Sequence, residues 1–141
     1  MPIKNGNVDF KNDWGEDIVS MTIRHRRSND PEKQEQVTRY NIASGEVHTN
    51  ILSFTYETGP SSPFDYWWIK FITNSNRIYT IKDNFYCSVS DGDDGKVKLR
   101  IDGSTNQMYV DFSDSSGCTE SIYPASLIFI DEQQKIHTVN D

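Results

Sequence analysis

The sequence predicts an all-β protein, built as an antiparallel β-sandwich of about eight or nine strands. Residues that favour turns recur roughly every 10 to 15 positions, which is typical of proteins made of short strands. Between these turns, apolar and polar side chains alternate with the period of two expected for a strand with one buried face. No segment of about 12 residues has the period of an amphipathic helix. A small β-barrel is the alternative architecture.

Six segments carry this alternation clearly enough to define a buried face. In each of them three apolar residues at alternate positions point to one side, and six such faces are enough for two packed sheets. In chain order the faces are Val19, Met21 and Ile23; Leu52, Phe54 and Tyr56; Trp67, Ile69 and Phe71; Phe85, Cys87 and Val89; Val97, Leu99 and Ile101; and Met108, Val110 and Phe112.

Two further segments depart from the alternation. Residues 127–130 form a continuous apolar run, which is typical of a strand covered on both faces. Residues 30–33 begin with Asp30 and Pro31, a helix-capping residue followed by a residue suited to the first helical position, and predict a helix of one or two turns. No linker or repeat divides the chain, so residues 1–141 are expected to form one β-sandwich domain.

The charge balance argues against a nucleic-acid partner. Lys and Arg number 14 against 21 Asp and Glu, which gives a formal net charge of −7. The basic run at residues 24–27 is the exception. In a strand, Arg24 and Arg26 would point to one face and be suited to a phosphate, a sulfate or an anionic headgroup. Ion pairing of this run with Glu32, Glu35 or another acidic strand is the alternative.

Nothing in the sequence points to catalysis or to a cofactor, so a non-catalytic protein is predicted. The three histidines lie outside any catalytic or metal-binding motif and are interpreted as surface or packing residues. The densest acidic run contains Asp91, Asp93 and Asp94, whose carboxylates are the kind of ligand that calcium prefers. Asp83 and Asp102 would complete such a site only if the fold brought them near. Because the spacing departs from an EF-hand loop, a polar hairpin loop is preferred and calcium is a weak candidate.

The two cysteines, Cys87 and Cys118, give no pattern that requires oxidation, so their pairing stays open. Cys87 is expected on a core-facing position in either case. The first residues contain no apolar stretch that could form the core of a signal peptide. The expected location is therefore the cytoplasm, or the cell exterior after export without a standard signal peptide.

Aromatic residues, 12% of the chain, are the strongest functional signal. If Trp67 faces the core, Tyr66 and Trp68 point to the opposite face, which is then too apolar for a plain solvated surface. Two further aromatic residues, Trp14 and Phe64, are predicted to lie in loops next to polar residues. Loop aromatics of this kind are found on binding surfaces.

The candidate ligand-binding residues are therefore Trp14, Tyr66, Trp68, Arg24 and Arg26. Amphipathic rings of this kind stack on sugars or sit at membrane interfaces, so the predicted ligand is a glycan or a lipid headgroup, with peripheral membrane contact. The alternative is a structural or protein-interaction role, in which a second layer or a homo-oligomer partner covers the aromatic face.

Three stretches resemble a family of small fungal, bacterial and nematode proteins that are up-regulated in long-lived insulin-receptor mutants of nematodes. They are residues 65–71 (DYWWIKF), 82–87 (KDNFYC) and 118–125 (CTESIYPA), supported by residues 8–12 and 18–27. The family is distantly similar to the aegerolysins, small acidic β-sandwich proteins that bind membrane lipids. The resemblance implies a β-sandwich and a paired structural role for Cys87 and Cys118, and it offers no established activity for the nearer family. The predicted recognition of a lipid headgroup or a glycan would serve a defence or toxin system.

Overall fold

The computed structural model describes the backbone of residues 3–130 and 136–140 and the side chains of residues 3–125. The all-β prediction is confirmed, with 59% of the chain in strands and 2% in helix. Residues 30–33 form a tight turn instead of the expected short helix. Asp30 accepts hydrogen bonds from the backbone of Glu32 through its side chain and of Lys33 through its carbonyl, both at 2.9 Å, and this closes a hairpin.

Thirteen strands lie in the described part of the chain. They are β1 (Lys4–Asp13), β2 (Ile18–Arg27), β3 (Gln34–Ile42), β4 (Val47–Tyr56), β5 (Asp65–Thr73), β6 (Ile78–Thr80), β7 (Phe85–Tyr86), β8 (Lys96–Asp102), β9 (Gln107–Phe112), β10 (Cys118–Ser121), β11 (Tyr123–Pro124), β12 (Ser126–Ile130) and β13 (Ile136–Asn140). A single 3-10 turn, Asp91–Asp93, precedes β8.

Eleven of these strands form the sandwich. Sheet A has five strands in the order β10-β9-β8-β1-β4, and sheet B has six, in the order β11-β6-β5-β2-β3 with β7 also paired to β5. Strands β12 and β13 pair with each other. The count exceeds the expected eight or nine because β6, β10 and β11 have only two to four residues, too few for an alternating pattern to be recognised. The strand predicted from Phe85, Cys87 and Val89 is present but short, since β7 contains only Phe85 and Tyr86.

One pairing departs from the predicted antiparallel arrangement. Strands β1 and β8 run parallel, from Asn7 opposite Lys96 to Asp13 opposite Asp102. The chain between them passes through sheet B, and a connection of that length allows the parallel direction that a short hairpin forbids.

The core between the sheets follows most of the predicted faces. Trp67, Ile69 and Phe71 are fully buried, as are the inward residues of β8 and β9 apart from the half-buried Phe112. The prediction that Val19 faces the core is wrong, since its side chain is 44% exposed. The register of β2 against β5 shifts just after Ile18, which takes the core position instead. The predicted covering of residues 127–130 concerns side chains outside the described set.

A disulfide joins Cys87, just after β7 of sheet B, to Cys118, at the start of β10 of sheet A, with their Cα atoms 6.0 Å apart. Cys87 is buried, as its predicted core position required. In the chain-entropy description a bridge with a sequence separation of 31 contributes about 3 to 4 kcal/mol to the free energy of unfolding. It also fixes the chain segment that follows Tyr86.

Candidate recognition surface

The outer face of sheet B carries a row of aromatic side chains, here called the aromatic strip: Phe64, Tyr66, Trp68 and Tyr86. Tyr66 and Trp68 point outward from β5 and are half-buried, and Tyr86 of β7 lies directly opposite Tyr66. Phe64 stacks on Tyr86 with ring centroids 5.4 Å apart and planes 20° from parallel. These two rings are 56% and 59% exposed, which makes them the most accessible part of the strip.

The predicted arginines lie beside the strip because β2 pairs with β5. Arg24 is opposite Trp68, and its guanidinium lies 4.9 Å from the centroid of that ring, a cation–π arrangement. Arg26 is opposite Tyr66 and donates from Nε to Gln34 Oε1 at 2.8 Å. The structure therefore brings Arg24, Arg26, Tyr66 and Trp68 together on one surface. Alternation predicted a shared side within each pair, and the pairing of β2 with β5 places the two pairs side by side.

Arg24 is less available to an anionic ligand than the sequence suggested. It is nearly buried, and its guanidinium pairs with the carboxylate of Asp83, whose pKa is lowered by this hydrogen bond. Arg24 and Arg27 are thus ion-paired, as the alternative expected, but with the loop residues Asp83 and Glu57 (3.2 Å from Arg27) instead of Glu32 or Glu35. Glu35 pairs with His25 of the same run. The surface is better suited to stacking than to binding a phosphate or sulfate.

Trp14 does not belong to this surface, and its assignment as a ligand-binding residue is wrong. Its side chain is only 9% exposed and packs against Phe71 and Tyr79, at centroid distances of 5.1 and 4.7 Å. The polar loop folds back because Asn12 Oδ1 accepts the Trp14 backbone N–H at 3.0 Å. A Cβ at Gly103 would lie 1.9 Å from the Trp14 carbonyl oxygen, so the tight closure of this loop requires glycine.

The acidic run does not form the candidate calcium site. Asp93 is buried, and its carboxylate accepts four hydrogen bonds, from the backbone of Ser90, Asp114 and Ser115 and from the Ser115 hydroxyl, at 2.7 to 3.0 Å. Burial alone would raise the pKa of Asp93, but these bonds outweigh it and lower the pKa. With its oxygens occupied by donors, Asp93 closes a loop instead of binding a metal.

The other candidate calcium ligands are dispersed. Asp91 pairs with Lys4, and Asp102 pairs with Arg100 and caps Ser104. Asp94 is exposed in a left-handed turn. Within residues 3–125 no three His, Cys, Asp or Glu side chains converge as metal ligands would.

A buried histidine between two carboxylates lies just inside the strip, and sequence reasoning missed it. Both ring nitrogens of the fully buried His25 bond to carboxylates, Nδ1 to Glu35 and Nε2 to Asp65, each at 2.7 Å. The ring packs between Phe54 and Trp67. Burial alone would lower the pKa of His25, but the bonds to Asp65 and Glu35 outweigh it and raise the pKa. The imidazole and the Asp65 carboxylate are buried, and we interpret the group as a structural ion cluster.

Asp65 connects this cluster to the residues that follow the strip. Its Oδ2 accepts the Val89 backbone N–H at 2.9 Å, its carbonyl accepts Cys87 N–H at 2.9 Å, and its own N–H donates to Ser88 Oγ at 3.2 Å. Residues 87–89 are therefore held against the start of β5. The only signal in the sequence was the position of Asp65 at a strand start, which does not by itself reveal a partner.

Tyr86 was also missed as a surface residue, because β7 has two residues and was interpreted only through its buried neighbour Phe85. Its exposure follows from the same alternation that buries Phe85.

The residues described include no helix of the length and apolarity needed to cross a membrane. No protein-family model matches the sequence, and a search of curated proteins gave no match. The resemblance to the nematode-associated family stays a prediction.

Proposed function

We propose that this protein is a non-catalytic recognition module that binds glycans, including the sugar headgroups of lipids, on the aromatic strip. The observation that supports the proposal most directly is the stacked and exposed pair of Phe64 and Tyr86, continued by Tyr66 and Trp68. Exposed rings in a contiguous row offer apolar faces of the kind on which sugar rings stack.

A neutral sugar fits this surface better than an anionic headgroup does. The guanidinium of Arg24 is already paired with Asp83, and that of Arg26 is engaged by Gln34. An anion would compete with Asp83 for Arg24 and be repelled by that carboxylate, whereas a sugar needs only the ring faces and the hydroxyl and amide groups beside them. The net charge of −7 also disfavours approach to an anionic membrane.

The test combines a neutral glycan array with flotation of phosphatidylcholine vesicles that contain either glucosylceramide or sphingomyelin. We expect binding to glycans and to glucosylceramide vesicles. Tyr86→Ala and Phe64→Ala should each weaken binding roughly 10- to 100-fold, since a stacked ring contributes on the order of 1 to 3 kcal/mol. Tyr40→Ala is the matched control, because Tyr40 is 67% exposed on β3, away from the strip.

Two results would contradict the proposal. Binding to sphingomyelin vesicles without any glycan binding would assign the strip to a phospholipid headgroup. If no ligand binds and Tyr86→Ala converts an oligomer to monomers in light scattering, the strip is a homo-oligomer interface. This second outcome corresponds to the alternative function, in which the same exposed rings form the contact between copies of the chain.

A further inference from the structure

Beside the aromatic strip, two loops enclose a cleft of about 490 Å³ at one end of the sandwich. One wall is the β4–β5 loop, residues 57–64, and the other is residues 88–91, so Phe64 belongs to both the cleft and the strip. A volume of this size lies within the range of about 300 to 1,000 Å³ that small-molecule sites occupy.

The lining of the cleft is rich in hydroxyl groups. Five Ser and Thr residues line it, together with Glu57 and Asp91: Thr58, Ser61, Ser62, Ser88 and Ser90. A hydroxyl both donates and accepts, so those that already donate to the protein retain acceptor capacity for a ligand. A lining of hydroxyls and carboxylates complements a molecule that carries several hydroxyls of its own.

The charges of the cleft are internally balanced. Glu57 pairs with Arg27, and Asp91 pairs with Lys4. A cationic ligand would compete with Arg27 and Lys4 for the carboxylates, and an anionic ligand would be repelled by the two carboxylates. A neutral ligand is therefore favoured. One buried nitrogen of this group, Arg27 Nε, has no hydrogen-bond partner among the described residues, which leaves a donor unused next to Glu57.

Both walls are held in place before any ligand arrives. Residues 87–89 are fixed by three hydrogen bonds to Asp65 and by the Cys87 disulfide. The opposite wall contains two prolines, and the Phe64 carbonyl accepts the Ser28 N–H at 2.9 Å. A preformed cleft reduces the entropy that binding would otherwise cost.

We infer that this cleft is the subsite for the terminal neutral monosaccharide of a chain whose following sugars lie along the aromatic strip. The inference rests on the proposed glycan recognition and adds the direction in which the glycan lies, since the terminal sugar enters between the two loops. Phe64, on the shared rim, is where the terminal sugar and the next one meet.

The experiment uses the ¹⁵N-labelled full chain and two sets of probes. The first set is glucose, galactose, mannose and N-acetylglucosamine as free monosaccharides, and the second is their neutral linear tetrasaccharides. We expect at least one monosaccharide, at millimolar concentration, to shift amide signals of residues 57–64 and 88–91. Its tetrasaccharide should also shift those of β5 and β7 and bind more tightly.

Variants separate the cleft from the strip. Asp91→Asn should weaken binding of the tetrasaccharide at least about tenfold, and Asp94→Asn, the exposed neighbour outside the cleft, should leave it within about twofold. Trp68→Ala should weaken the tetrasaccharide and leave monosaccharide binding unchanged. Asp91 is exposed, and its partner Lys4 is partly exposed, so this change should not prevent folding.

The outcomes distinguish the two proposals. If tetrasaccharides bind and are weakened by Trp68→Ala but not by Asp91→Asn, with no shifts at residues 57–64, the cleft inference is overturned and the proposed function stands. If monosaccharides bind in the cleft and the strip shows no shift with any tetrasaccharide, the strip proposal fails and the cleft remains a site. If no sugar shifts any signal, both are wrong.

Discussion

Glu35 of sheet B accepts two hydrogen bonds from Thr55 of sheet A, one from the backbone N–H and one from the hydroxyl, both to Oε2 at 2.9 Å. Its other oxygen, Oε1, faces His25. The two sheets are therefore joined, where their edge strands β3 and β4 meet, by a partly buried polar connection as well as by the apolar packing of the core. Because His25 also binds Asp65, the connection reaches the segment beneath the aromatic strip.

Replacing the central histidine of this cluster should be strongly destabilising. In His25→Gln one amide cannot donate to both carboxylates as the imidazolium does, and the buried Asp65 would lose its charged partner. We expect the free energy of unfolding in urea to fall by about 3 to 5 kcal/mol. His48→Gln is the control, since His48 is partly exposed beside Glu46 and should change stability by less than about 1 kcal/mol. Equal effects of the two changes would contradict the assignment.

The same cluster predicts how stability depends on pH. The raised pKa of His25 gives stability that is complete below the ordinary value of 6.5 and is lost as pH rises through the raised pKa. Burial alone would raise the pKa of Glu35, but bonds from His25 and Thr55 lower it, so its contribution is present above 4.5 and is lost as pH falls through the lowered pKa.

Stability should consequently be greatest between these two ordinary values and decline toward alkaline pH. Urea unfolding across the pH range would show this, and the alkaline decline should be absent in His25→Gln relative to wild type. A wild-type profile that rises from neutral to alkaline pH would be inconsistent with an imidazolium held between two carboxylates.

Trp14 provides a test of the corrected surface. Trp14→Ala removes a buried ring that packs on Phe71 and Tyr79 and should lower the free energy of unfolding by about 3 to 5 kcal/mol. Tyr86→Ala, at an exposed position, should change it by about 0.5 kcal/mol or less. Thermal unfolding of the two variants is sufficient to measure this difference in stability. A stable Trp14→Ala protein with lost glycan binding would restore Trp14 to the binding surface.

Asp93 is expected to stabilise its loop without calcium. Asp93→Asn places an amide donor among groups that already donate and should lower the free energy of unfolding by about 1 to 3 kcal/mol. Calcium should leave the Tm of the wild type unchanged. The control is again Asp94→Asn, because asparagine tolerates the left-handed backbone found there. A calcium-dependent rise in wild-type Tm that disappears in Asp93→Asn would reinstate the metal site.

Strand alternation was sufficient to predict the sandwich and the neighbourhood of Tyr66 and Trp68, since a period of two fixes which side of a sheet a residue faces. The same local pattern carries no information about partners that are distant in the sequence. His25 meets Asp65 because β2 pairs with β5 within sheet B, and Trp14, which follows β1 of sheet A, meets Phe71 because the two sheets pack together. Trp14 was misassigned because its polar sequence neighbours indicate an exposed loop. The direction of the ring depends instead on the contacts of the Trp14 backbone with Asn12 and Gly103.

The parallel pairing of β1 with β8 has a consequence for how the chain is made. β1 leaves the ribosome before the other described strands, yet one of its two neighbours in sheet A begins only at Lys96. During synthesis β1 can form a hairpin-like pair with β4, and its other edge then stays open until β8 emerges. More than half of sheet A is thus added late, when β8 pairs with β1 and is followed by β9 and β10. Deleting β1 would therefore remove an interior strand of sheet A, whereas deleting β10 would remove an edge strand.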